Sequence, residues 1–115
     1  MPRPAPRDWY PRRGEVYLAR LVGGKIRPAV VLSRDALNRQ VRDVCVVPMT
    51  TRHHAEFSLR IPVQPPEGGL HRDSWIKGDQ VHTLERRFLL HPPLGRLSQA
   101  TLRRLEDAVR TTLQL

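Results

Sequence analysis

A single cysteine, Cys45, stands among 115 residues, which excludes an internal disulfide and a cysteine-rich zinc site. It falls inside an apolar run, where a buried and inert thiol is expected rather than a nucleophile. Aromatic residues are also scarce, two each of Trp, Tyr and Phe. With 39% apolar residues, the core of one copy is expected to be small, and self-association would add to what it buries. No stretch approaches the roughly 18 apolar residues of a membrane span, and the N-terminus lacks the apolar segment of a signal peptide. A cytoplasmic protein with no membrane contact is expected. Acidic residues are the minority, eleven against twenty Lys and Arg, for a net charge of +9. That field favours polyanions, whether nucleic acid, acidic protein segments or anionic membrane surfaces, and does not by itself choose among them.

What is present fits one compact domain and is too short for two. Residues 1–12 are rich in Pro and Arg and are read as an extended, mobile N-terminal arm, although Trp9 and Tyr10 can pack back on the domain. Residues 13–115 form the domain itself. Glu15 to Leu21 reads as a first strand between Gly14 and Gly23-Gly24. Pro28 disfavours helix at Arg27, so a second strand is expected from Ala29 to Leu32. The hairpin loop between them carries Lys25 and Arg27. Ser33 to Asn38 suits one or two helical turns with Ser33 as cap. Val44 to Met49 is apolar on both faces and therefore central. Phe57, Leu59, Ile61 and Val63 alternate with polar residues or Pro62 in the period of a half-buried strand. Asp73 to Thr83 supplies one or two strands with a bulge at Gly78, and His91-Pro92-Pro93-Leu94-Gly95 reads as a break. From Ser98 as N-cap, Leu102, Leu105, Val109 and Leu113 recur at helical spacing. The expected fold is mainly β with helices (α+β), an SH3-like small β-barrel closed by a C-terminal amphipathic helix.

Familiar catalytic patterns are absent. His53-His54 is the only adjacent pair of histidines, and zinc needs three or four ligands. Gly23-Gly24 lacks the spacing of a phosphate loop, and no nucleophile elbow or hydrolase triad announces itself. No metal and no cofactor are expected. The chemistry left is that of Arg, Thr, Lys and Asp.

Five segments then point one way. Arg13-Gly14-Glu15-Val16-Tyr17, Arg27-Pro28-Ala29-Val30-Val31-Leu32-Ser33, Val46-Val47-Pro48-Met49-Thr50-Thr51, Asp79-Gln80-Val81-His82-Thr83-Leu84 and Gly95-Arg96-Leu97-Ser98 resemble, in the same order, motifs of the MazF/PemK/Kid toxins. Each is short, and their shared order carries the resemblance. It implies an SH3-like barrel that forms a homodimer, cleaves single-stranded RNA at short sequences, and is silenced by a cognate antitoxin. Carried over residue by residue, it makes Arg27 and Thr50 the catalytic pair, with Thr51 as the neighbour if the register slips, and sets Lys77 and Asp79 in a later strand of the site. The first loop, Val22 to Ile26, is shorter than is usual in the family, and the polar loop residues used elsewhere have no counterpart here.

These residue types suit metal-free cleavage, in which the 2′-hydroxyl attacks the neighbouring phosphorus and charge builds on the nonbridging oxygens. A guanidinium, always protonated, answers that charge bidentately, and a threonine hydroxyl can donate to the same oxygens. The general base stays open between Asp79 and His82. Lys25, Thr51, Lys77, Asp79 and His82 are read as substrate contacts, and Trp75 as either a core aromatic or a stacking face. An acidic, partly disordered antitoxin segment would suit the positive surface. Two other functions fit the same barrel. One is a nonenzymatic CcdB-like toxin that binds DNA gyrase through the closing helix; the other is a plain nucleic-acid-binding SH3-like module.

Overall fold

The alternation that marks strands in a sequence also decides which sheet face each residue joins. In the computed structural model, which describes residues 2–53 and 59–115, the strands are β1 (Glu15–Arg20), β2 (Ile26–Val31), β3 (Asp43–Thr50), β4 (Arg60–Val63), β5 (Ser74–Lys77), β6 (His82–Glu85) and β7 (Leu89–Arg96). The helices are α1 (Asp35–Gln40) and α2 (Gln99–Leu113). The strands form one sheet in the order β4-β5-β3-β2-β1-β7, with β6 also paired to β3. This is the expected mainly β fold with a closing helix, its barrel-like path left open between β4 and β7 among the described residues. His54, Phe57 and Ser58 lie outside those residues.

Both faces of the central strands are apolar because both are covered. On one face Val16, Val30, Val47, Met49, Ile61 and Ile76 pack with Leu102, Leu105, Ala108 and Val109 of α2. On the other, Tyr17, Ala19, Ala29, Val31, Val44, Val46 and Leu89 pack with Trp9, Leu21 and Leu84. Helix α2 starts as its sequence demands, with Ser98 Oγ accepting from Thr101 N at 3.2 Å. Gly78 is not a bulge but the first residue after β5. A Cβ there would meet Leu59 O at 2.5 Å and Ala108 Cβ at 2.7 Å, so only glycine lets the chain pass beneath α2.

Three local expectations give way to tertiary context. Ser33 is not the cap of α1, whose first flanking residue is Arg34. Instead Ser33 Oγ donates to the buried Asn38 Oδ1 at 2.6 Å and accepts from Cys45 N at 3.1 Å. Cys45 itself is only half-buried, because its cross-strand partner Thr83 is exposed. The prolines of 91–95 lie inside β7 rather than ending it. Val16 pairs with Gly95 and Leu18 with Leu90, so a wide irregularity in the ladder accommodates residues that cannot donate.

Strand β2 likewise starts before Pro28, at Ile26. Leu32 N donates to Cys45 O at 2.9 Å, and in an antiparallel ladder every second residue faces the same neighbour. Val30 and Pro28 therefore face β3 as Leu32 does. Pro28 falls where the next N–H donor belongs, and pairing with β3 stops at Ala29↔Pro48. Pro48 in turn faces away from β2, between the last β6 partner at Val46↔His82 and the first β5 partner at Met49↔Ile76.

At the N-terminal end Trp9 does pack back on the domain. Its Nε1 donates to Tyr17 OH at 3.2 Å, which donates to Glu15 Oε1 at 2.9 Å, and its ring meets His91 edge-on at 4.3 Å. Burial pushes the Tyr17 hydroxyl up and the His91 imidazole down, with Glu15 opposing the latter shift. The fold thus disfavours the charged form of His91, which takes up a proton more readily when unfolded. Its contribution to stability is complete above the ordinary histidine value of about 6.5 and is lost as pH falls through the lowered one. Thermal unfolding between pH 8 and pH 5 is expected to show this decline, and His91→Phe to remove part of it; equal slopes for the two proteins would contradict it.

Candidate functional site

Where the β2–β3 ladder stops, the two strands no longer hold each other and a cleft of about 760 Å³ opens. Its position follows from the two prolines, and its contents follow from the register. Ala29↔Pro48, Val30↔Val47 and Val31↔Val46 share one sum of residue numbers; continued by two residues, the same register sets Arg27 opposite Thr50. Both belong to the face that carries Ala29 and Val46 and that α2 does not cover. Along this face the side chains change from apolar to polar at the cleft.

The lining includes Lys25, Arg27, Arg52, Arg60, Arg72 and Lys77 together with Thr50, Thr51, Gln80 and His82, and among the described residues it contains no acidic one. Among the described residues Arg27 forms no ion pair; its Nη1 donates to Ile26 O at 3.3 Å. It is exposed, at the foot of a hairpin loop whose Gly23 and Gly24 have φ of 87° and 81°, values that a residue with a side chain rarely adopts. Thr50 Oγ1 accepts from Arg52 N at 3.1 Å. That bond holds the strand end and uses only acceptor capacity, so the hydroxyl hydrogen remains available to donate.

Two groups on the β4–β5 side complete the electrostatics. The Arg60 side chain, 7% exposed, sets its Nε 3.1 Å from Asp79 Oδ1. Arg60 and Lys77 are cross-strand partners, and Lys77 is pushed below the usual lysine value by burial first, then by Arg60, Arg27 and Lys25, with Asp79 acting against them. At neutral pH its charge therefore costs the fold stability, a cost relieved as pH rises through the lowered value. Lys77→Met is expected to raise the melting temperature by about 2 °C, an amount discounted for solvent screening. The gain should shrink above pH 9, and cleft function should fall. A less stable Lys77→Met protein would show that the cluster is not under repulsion.

Residues 12–113 match the PemK-like, MazF-like toxins of type II toxin-antitoxin systems. The chain belongs to this family. Among curated proteins, Endoribonuclease MazF9 of Mycobacterium tuberculosis is 29% identical over 115 residues, covering 90% of this chain and 97% of that one. Among solved structures, an endoribonuclease in complex with its cognate antitoxin from a mycobacterial species superposes with a TM-score of 0.79 at 28% identity, over 91% of this chain and 96% of the other. Mycobacterium tuberculosis toxin MazF-mt6 gives a TM-score of 0.77 at 25% identity, over 88% and 97% of the two chains.

In this PemK/MazF-family chain the cleft brings together Lys25, Arg27, Thr50, Thr51, Lys77 and His82. Asp79 stands beside the cleft rather than in its lining, engaged by Arg60. Arg52, Arg60, Arg72 and Gln80 were not singled out from the sequence. Arg60 had one available signal: it occupies a polar position in the strand pattern of residues 57–63, and such a position in a basic toxin faces either solvent or a site. Among the described residues no three His, Cys, Asp or Glu side chains converge in a way that could hold a metal ion. His53, half of the histidine pair, instead stacks on Trp75.

Proposed function

We propose that this chain is the toxin of a type II toxin-antitoxin system, a sequence-specific, metal-independent endoribonuclease that cleaves single-stranded mRNA and so arrests translation and growth. The observation that carries this reading is the register that sets Arg27 opposite Thr50 in a cleft lined, among the described residues, by cations and no acid. The 2′-oxygen of one nucleotide forms a bond to the adjacent phosphorus as the bond to the 5′-oxygen of the next one breaks, leaving a 2′,3′-cyclic phosphate and a 5′-hydroxyl. Arg27 answers the charge that builds on the nonbridging oxygens, and Thr50 donates its hydroxyl to one of them. His82 lines the cleft, whereas the Asp79 carboxylate is engaged by Arg60, so His82 is the better placed of the two to take the 2′ proton. Lys25, Thr51 and Lys77 hold flanking phosphates. Single-stranded RNA is required because in-line attack needs a splayed backbone.

Residues 13–115 form the toxin domain in this reading and residues 1–12 its arm. The protein works in the cytoplasm as a homodimer, and a cognate antitoxin neutralises it with an acidic, partly disordered segment complementary to the cleft. Support comes from the relative solved with its cognate antitoxin and from the absence, among the described residues, of any helix long and apolar enough to cross a membrane. Neither the gyrase-binding nor the plain nucleic-acid-binding reading is favoured by the family.

The test is incubation of the protein with a long single-stranded RNA in EDTA, followed by mapping of the fragment ends. Discrete fragments that end in cyclic phosphate are expected. RNA left intact across substrates covering all short sequences would end the ribonuclease reading, and cutting that EDTA abolishes would end its metal independence.

A further inference from the structure

The chain has two tryptophans, and the fold uses them differently. Trp9 packs against the second apolar cluster. Trp75 belongs to neither cluster and is only half-buried, although it sits in a strand between two paired neighbours, Thr50 on β3 and Pro62 on β4. A core aromatic is expected to be closed on both ring faces. Here one face is stacked by the His53 ring, which lies 4.8 Å away at 21° to the indole. His53 is itself exposed.

Position gives this pair its meaning. Thr50 and Trp75 are directly opposed across β3 and β5, so their side chains leave the same face with Cβ atoms about 5 Å apart. A phosphate bound at Thr50 has its own nucleoside within reach of the indole. Lys77, two residues along β5 on that face, can hold the next phosphate. We propose that Trp75 is a base-stacking subsite for a nucleobase flanking the scissile phosphate, covered in the RNA-free protein by His53, which the incoming base displaces. The proposal rests on the endoribonuclease reading and adds to it a stacking contact with a base, beside the cationic contacts of the cleft.

Displacement costs little, since His53 is an exposed side chain just past the strand end, and a nucleobase offers a larger ring system in the same parallel geometry. Stacking tolerates every base, but its strength grows with ring area. A purine is therefore expected at this position of the recognised sequence.

The experiment uses the full chain and a short RNA centred on the mapped cleavage site, made uncleavable by a 2′-deoxy nucleotide at the attacking position. In a Trp9→Phe background Trp75 is the sole indole, and its emission should be quenched saturably by this RNA. Replacing the flanking nucleotide with an abasic one should abolish the quenching. In cleavage assays Trp75→Ala should raise KM about tenfold or more while largely sparing kcat, Trp75→Phe should restore most of the loss, and His53→Ala should not weaken binding. Equal quenching by the abasic RNA, or wild-type KM for a folded Trp75→Ala protein cutting at the same sequence, would overturn the subsite and leave the ribonuclease reading intact. A wild-type protein that cuts no RNA would overturn both.

Discussion

Arg27→Ala should lower cleavage of a cognate RNA by roughly 100- to 1,000-fold in kcat/KM, the range seen when one preorganised electrostatic contact to a developing oxyanion is removed. The fold should hardly notice. Arg27 is exposed and bonds only its own backbone neighbour among the described residues, so the melting temperature should stay within about 2 °C of wild type. This combination separates chemistry from folding. Arg27→Lys should recover little, because an ammonium is a point charge and cannot offer two parallel donors to a phosphate. If Arg27→Ala cuts normally, the transition-state charge is met elsewhere in the cleft, and Arg60 and Arg72 become the first candidates.

The second large effect belongs to Arg60. Removing one partner of a mostly buried ion pair leaves the other charge uncompensated, at a cost of about 3–5 kcal/mol when both are buried. Arg60 is 7% exposed but Asp79 is 29% exposed, so Arg60→Met should destabilise by about 2 kcal/mol, or roughly 10 °C in melting temperature. Asp79→Asn should cost less, and the double variant should melt above the sum of the two losses, because the charge that Arg60→Met strands is then gone. Cleavage should fall in each single variant, more steeply with Arg60→Met, since Arg60 also lines the cleft. Additive losses in the double variant would show that the two side chains are neighbours without being partners. Thermal scans and cleavage rates on the same four proteins decide the matter.

Local signals carried the elements whose formation is local. The spacing of Leu102, Leu105 and Val109 and the cap at Ser98 are properties of one helix, and β3 announced its central place by being apolar on both faces. Arg27 and Thr50 were visible only through the family motifs around them, since an arginine before a proline and a threonine at a strand end are ordinary features of loops. Arg60 and Asp79 lie nineteen positions apart in the chain, and nothing near either residue predicts their contact. It arises from the β4–β5 register, which sets Arg60 against Lys77. Pro28 shows a different limit. Whether a proline ends a strand depends on which neighbour its missing N–H would have faced, and that is settled by strands elsewhere in the sequence. The break expected at His91–Gly95 became part of β7 for the same kind of reason: the ladder with β1 could absorb the irregularity.

The two prolines of the cleft separate its existence from its contents. Pro28 ends the β2–β3 ladder, and Pro48 parts the β6 and β5 partners of β3, by covalent structure whatever side chains surround them, so the opening survives changes in the residues that line it. Lys25, Arg52, Arg72 and Gln80 can then be exchanged with little effect on folding, while Arg27 and Thr50 keep their places on opposite banks. A toxin built this way can change which RNA sequences it cuts, and which antitoxin it answers to, by surface substitutions alone, with the same scaffold and the same reaction beneath them.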